Sequence, residues 1–87
     1  MERRSKHDIA VALLKAARLP TKKTHLMFKA RLSFYQLQKY LPLLVENGLL
    51  RNRRIEGQNH DEIFYRTTEK GQSFVRCIEL AEELWEA

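Results

Sequence analysis

The feature that most constrains this 87-residue sequence is a change in the spacing of its apolar residues just after Gly48. Before that point they recur three or four positions apart, as on one side of a helix. Beyond it the chain reads as strand, turn and strand, and helical spacing returns after Thr68. A chain of this length hides only about 60–65% of its unfolded surface on folding. All segments must therefore share one small core, and residues 1–87 are expected to form a single domain.

The first helical run starts near Ser5 or Asp8, either of which can cap it, and reaches about Arg18. Ile9, Ala12, Leu13, Ala16 and Ala17 fall on its inner side. Leu19-Pro20 ends it, because a residue before proline is pushed out of helical conformation. Thr21 is expected to cap a shorter helix ending at Lys29 or Ala30, with Leu26, Met27 and Ala30 turned inward and Phe28 nearby. Arg31-Leu32 then leaves room only for a tight turn.

Ser33 starts the third helix. Ser33 and Gln36 have capping-box spacing, in which each side chain satisfies a backbone amide that the helix leaves unpaired. Phe34, Leu37, Leu41 and Leu44 form one stripe beside Val45, and Tyr35, Gln36, Lys39 and Glu46 occupy the opposite face. Asn47-Gly48 closes the helix, glycine suiting the left-handed position that follows many helices. Pro42 removes one helical hydrogen bond, a loss of ~3 kcal/mol or more if uncompensated. It lies on the outer side of the helix, where a bend is tolerated.

Residues 49–55 and 63–67 read as strands joined by the polar turn 57–61. Thr68 caps a last helix spanning 68–87, with Gly71 as a weak point in its first turn. That helix has two apolar stripes: Phe74, Ile78, Ala81 and Trp85 on one, and Cys77, Leu80 and Leu84 on the other. A domain this small needs one stripe for its own core, so the second predicts a homodimer. Cys77 excludes an intrachain disulfide; it is read as a small apolar helix residue rather than an intersubunit disulfide or redox switch.

The net charge of +5 is unevenly distributed. Residues 1–60 hold thirteen Lys and Arg against four acids, whereas residues 61–87 hold three against seven. A basic body with an acidic tail helix suits a polyanionic partner. No run of apolar residues is long enough to cross a bilayer, and the charged start lacks an apolar leader segment. An intracellular (cytoplasmic) protein is expected. His7, His25 and His60 share no ligand spacing with an acid or Cys77, and the three glycines make no phosphate loop. We therefore expect no enzyme activity, no cofactor, no metal and no small-molecule ligand.

Helix, helix, tight turn, helix, hairpin, helix is the order of a winged helix-turn-helix, a mostly helical α+β fold. In such a domain the third helix enters the major groove of double-stranded DNA, its first turns reaching the base edges. The candidate contacts there are Arg31, Ser33, Tyr35, Gln36 and Lys39. Lys22, Lys23 and Thr24 begin the second helix, where phosphate oxygens can meet free amides. The hairpin, about residues 50–67, is the wing, with Arg53, Arg54, Asn59 and Arg66 as candidates for minor-groove or backbone contact. Arginines that merely deter edge-to-edge strand pairing are the competing reading.

The segment KTHLMFKARLSFYQLQKYL, residues 23–41, resembles the archaeal winged helix-turn-helix proteins known as predicted transcriptional regulators. Their pattern runs approximately K-T-x-I-M-Y-x-A-N-L-S-Y-x-Q-L-x-x-Y-L, followed by G-L-I and Y-x-x-T-x-K-G. Gly48-Leu49-Leu50 and Tyr65 through Gly71 fill the later parts, so the likeness covers about residues 8–80. The family includes small dimeric chromatin-type proteins, and a crenarchaeal virus can equally encode such a chain. The resemblance implies duplex DNA binding and dimers formed through the last helix, where the stripe Cys77, Leu80 and Leu84 is the expected interface. Arg31 stands where the pattern has Asn, and the last helix is shorter than in coiled-coil members. Three roles follow: a homodimeric transcriptional regulator, an architectural DNA-binding protein of low sequence specificity, or a protein–protein interaction module.

Overall fold

We describe residues 4–57 and 62–85 of the computed structural model. The elements are α1 (Lys6–Ala16), β1 (Thr21–Lys22), α2 (Lys23–Lys29), α3 (Phe34–Glu46), β2 (Leu50–Ile55), β3 (Glu62–Thr67) and α4 (Glu69–Trp85). The strands form one antiparallel sheet in the order β1-β3-β2.

The helix starts follow local chemistry. Ser5 is the N-cap of α1: its hydroxyl accepts from the Asp8 amide (3.1 Å), and the Asp8 carboxylate accepts from the Ser5 amide (3.0 Å). The Ser5 backbone N–H, and then its hydroxyl, hold the Asp8 pKa below its ordinary value. Ser33 and Gln36 make the same reciprocal pair at α3. Thr68 accepts from the Gly71 amide at the start of α4 and donates to the Gly48 carbonyl (2.6 Å). Gly48 takes the left-handed position after α3, at φ 74°. Pro42 is exposed, and α3 continues past it to Glu46.

Thr21 corrects one expectation. It is buried in β1, where its hydroxyl donates to the Leu19 carbonyl (2.7 Å), so it is not a helix cap. Lys22 occupies the N-cap of α2 and provides no side-chain capping hydrogen bond. A two-residue strand has no readable pattern of its own, and its partner β3 lies more than forty residues away.

The core gathers Leu13, Leu14, Leu26, Leu37 and Leu50, with Ile9, Ala10, Ala17, Ala30, Leu32, Leu41, Leu44, Leu49 and Val75 around them. On α1, Ala10 and Leu14 are buried while Ala12 and Ala16 are half-buried. The helix is packed against α2, α3, α4 and β3, so it hides more of its circumference than one stripe. Buried Thr67 ties the sheet to α1: its amide donates to the Ala17 carbonyl (2.8 Å) and its hydroxyl to the Leu14 carbonyl (2.6 Å). Phe34 departs from its expected inner stripe and is 61% exposed.

The two stripes on α4 also divide differently. Gly71 and Val75 are buried, and Phe74 and Ile78 are half-buried. Ala81 and Trp85 leave the core with Leu80 and Leu84, because α4 extends beyond the body that its first half packs on.

Arg31, between α2 and α3, has φ 55°. A left-handed conformation costs a residue with a side chain about 1–2 kcal/mol, and Asn tolerates it better than most. Arg31→Asn is therefore expected to stabilise the domain by about 0.5–1 kcal/mol, raising Tm by roughly 2–8 °C. A thermal melt checks this; an unchanged or lower Tm would show that the arginine side chain offsets the backbone cost.

Candidate nucleic-acid interface

Helix α3 has one buried side and one bare side. Leu37, Leu41 and Leu44 lock it to the core, so residues half a turn away must face outward. Tyr35 is 74% exposed there, with Lys39 one turn on; Glu46, in the last turn, is the helix's sole acid. Lys39 Nζ lies 5.5 Å from the centre of the Tyr40 ring. Ser33 and the Gln36 carbonyl oxygen are committed to the cap, and both residues border a shallow hollow. Arg4, Ile9, Tyr35, Lys39 and Tyr40 also line that hollow.

Arg4 is a contributor that the sequence reading missed. Its guanidinium donates to the Ala30 carbonyl (2.7 Å) and the Arg31 carbonyl (3.0 Å). It thereby satisfies the end of α2 and brings another cation beside the turn. Nothing in a charged N-terminal stretch distinguishes this arginine from its neighbours.

On its other flank α3 borders a cleft with the sheet. Lys23, Gln38, Leu41, Pro42, Val45, Glu46, Asn52 and Tyr65 line it. Burial pushes the Tyr65 phenol pKa up. Lys23 Nζ sits 5.6 Å from the centre of the exposed Phe34 ring, so the starts of α2 and α3 present one cation–aromatic pair. Gln38 and Asn52 are two polar groups that amphipathicity alone did not single out. Thr24 is exposed, but α2 has only seven residues, so Lys22 and Lys23 bring more charge than its dipole. Lys22 is itself paired with Glu62 (2.9 Å).

The hairpin register separates the wing arginines. Arg53 pairs with Phe64 and Arg51 with Arg66, all on one face of the sheet; Asn52 pairs with Tyr65 and Arg54 with Ile63 on the other. Only the second face is shared with α3, through Asn52 and Tyr65. Of the wing candidates, Arg53 and Arg66 thus stand on the sheet face away from α3, and Arg54 on the face shared with it. Asn59 lies outside the described residues. On α4, Cys77, Leu80 (53%) and Leu84 (79%) are exposed, and Trp85 is 89% exposed.

Two helices joined by a tight turn, the second helix presented outward, followed by a hairpin and a closing helix, define a winged helix-turn-helix. The chain belongs to that family: the winged helix-turn-helix model matches residues 3–86. It is similar to the solved structure of Sso10a-2, a DNA-binding protein from Sulfolobus solfataricus. The two share 26% identity over 94% of this chain and 86% of that one, with a TM-score of 0.76. This agrees with the archaeal resemblance in residues 23–41. A PadR family transcriptional regulator from Eggerthella lenta shares the fold at 21% identity and TM-score 0.75, over 87% of this chain and 72% of that one. Human N-acetylserotonin methyltransferase also matches in fold, at 24% identity and TM-score 0.56. That match spans 76% of this chain but only 18% of the methyltransferase. No curated protein matches at the sequence level. No helix among the described residues is long and apolar enough to cross a membrane.

Proposed function

We propose that this chain is a non-catalytic, intracellular double-stranded DNA-binding protein, acting as a homodimeric transcriptional regulator. The observation that carries the reading is the bare face of α3: Tyr35 and Lys39 project opposite the Leu37–Leu41–Leu44 stripe, with the only acid far along the helix. A helix held this way fits a major groove ~12 Å wide. Tyr35, Lys39 and the Gln36 amide reach bases or phosphates. Arg31 and Ser33 lie at the entry, and Lys22, Lys23 and Thr24 meet the flanking backbone. Arg54, on the α3 side of the sheet, follows the same duplex, and Asn59 keeps the contact role that the sequence gives it.

Lys39→Ala is expected to weaken binding to a selected duplex by about 5- to 30-fold without lowering Tm. Fluorescence anisotropy reads this, and unchanged affinity would remove α3 as the reading element. Selection from a random duplex pool separates a regulator from an architectural protein: a recovered motif supports the first, uniform recovery the second.

The apolar end of α4 supports a homodimer. Leu80, Leu84 and Trp85 leave a contiguous apolar edge in water, of the kind that subunit interfaces cover. Cys77 lies on the same helix, one turn before Ala81. The wild-type chain is expected to sediment as a pair and Leu80→Glu as a single chain. A wild-type monomer would refute the dimer.

A further inference from the structure

One face of the sheet is open, bordered at its Arg51–Arg66 end by Glu69, Lys70 and Gln72 from the start of α4. Thr21, Leu50, Tyr65 and Thr67 alternate onto the side that packs on the helices, and Lys22, Arg51, Arg53, Phe64 and Arg66 onto the other. On this open side Lys22, Phe64 and Arg53 stand in one row across all three strands. In the next row Arg51 stands directly opposite Arg66. Lys22 is neutralised by Glu62, but Arg51, Arg53 and Arg66 are exposed and form no ion pair among the described residues.

Like charges directly opposite each other weaken a strand pair. Protection of an exposed sheet edge explains arginines on β2, which is an edge strand. It does not explain Arg66, which lies on the central strand β3. Three guanidinium groups on one flat face, two of them opposed, match the geometry of an extended phosphate backbone. Strand spacing of about 4.8 Å and a two-residue repeat of about 6.7 Å set their stems apart, and each fork can take phosphate oxygens bidentately. The Phe64 ring is half-buried and lies 5.9 Å from Lys22 Nζ, so it provides no free platform for an unpaired base. That favours a duplex over a single strand.

We infer that this open sheet face binds the phosphate backbone of a second DNA segment, distinct from the one that α3 takes. The protein thereby holds two duplexes together. This rests on the DNA reading of α3 given above, and the two can fail separately.

The test uses the full chain with two duplexes, one fixed to beads and one fluorescent in solution, together with anisotropy on a short single-site duplex. The Arg51→Glu/Arg66→Glu protein is compared with wild type and with Arg18→Glu/Arg76→Glu, which makes the same charge change off the open face, on the helical side. Arg51→Gln/Arg66→Gln repeats the comparison without added acids. The wild type should retain the fluorescent duplex on the beads. Both sheet variants should lose that capture by about tenfold or more, with short-duplex affinity nearly unchanged and capture by the charge-matched control preserved. Four results would overturn the inference: no capture by wild type, unchanged capture by the sheet variants, an equal loss in the control, or a loss that parallels short-duplex affinity. Wild-type protein that binds no short duplex would overturn the α3 reading itself.

Discussion

Gly71→Ala is expected to destabilise the domain by about 3 kcal/mol or more, lowering Tm by roughly 12–24 °C. A β-carbon at this position would press into the Leu49 backbone carbonyl and come within 2.6 Å of Thr67 Cγ2. A carbonyl cannot swing aside as a long side chain can. This one is fixed just before β2, where the Thr68 amide donates to it (3.1 Å). Relief would require α4 to lift away from β2, separating Val75 from the core and straining the Thr68 hydroxyl's bond to Gly48. A domain of this size has only about 4–13 kcal/mol of total stability, so the loss is a large share of it. Thermal and urea melts measure the effect. The opposite expectation, from helix propensity alone, is a gain of up to about 1 kcal/mol for replacing a helical glycine by alanine. The sign therefore decides between close approach and propensity.

The second large effect concerns the proposed DNA contact. Raising salt from about 50 to 200 mM should weaken binding to one duplex by about 10³–10⁵, the response to ~6–10 neutralised phosphates. Lys23, Arg31, Lys39 and Arg54 provide four cations per chain on the α3 side, hence about eight for a homodimer. Each neutralised phosphate releases condensed counterion, which is why affinity falls with salt as a power law. Titrations at several salt concentrations give the slope directly. A flat response, with no duplex binding at low salt, would favour a protein-interaction module over a DNA-binding one.

The helical elements were legible because their signals are local. The Ser33–Gln36 cap, the Leu37–Leu41–Leu44 stripe and the left-handed Gly48 depend on neighbours a few residues apart, and each appears as expected. Gly71 was legible only as an anomaly whose cause lay elsewhere. Strand β1 left no trace, since Thr21 and Lys22 are extended only because β3 pairs with them. Phe34 matched the helical period yet lies outside the core, where Lys23 from α2 meets its ring. On α4 the period persists to Trp85, but the body that its first half packs on does not extend that far.

Local chemistry along the chain determined which segments become helix or strand and that the outward face of α3 carries Tyr35 and Lys39. The three-dimensional packing alone decided how the cations are shared among surfaces. Strand register put Arg53 and Arg66 on one side of the sheet and Arg54 on the other, and folding carried Arg4 to the end of α2. Helix caps and apolar periods act over a few residues, whereas register and docking depend on partners tens of residues distant. A linear count of charge contains no information about which way each charge will face.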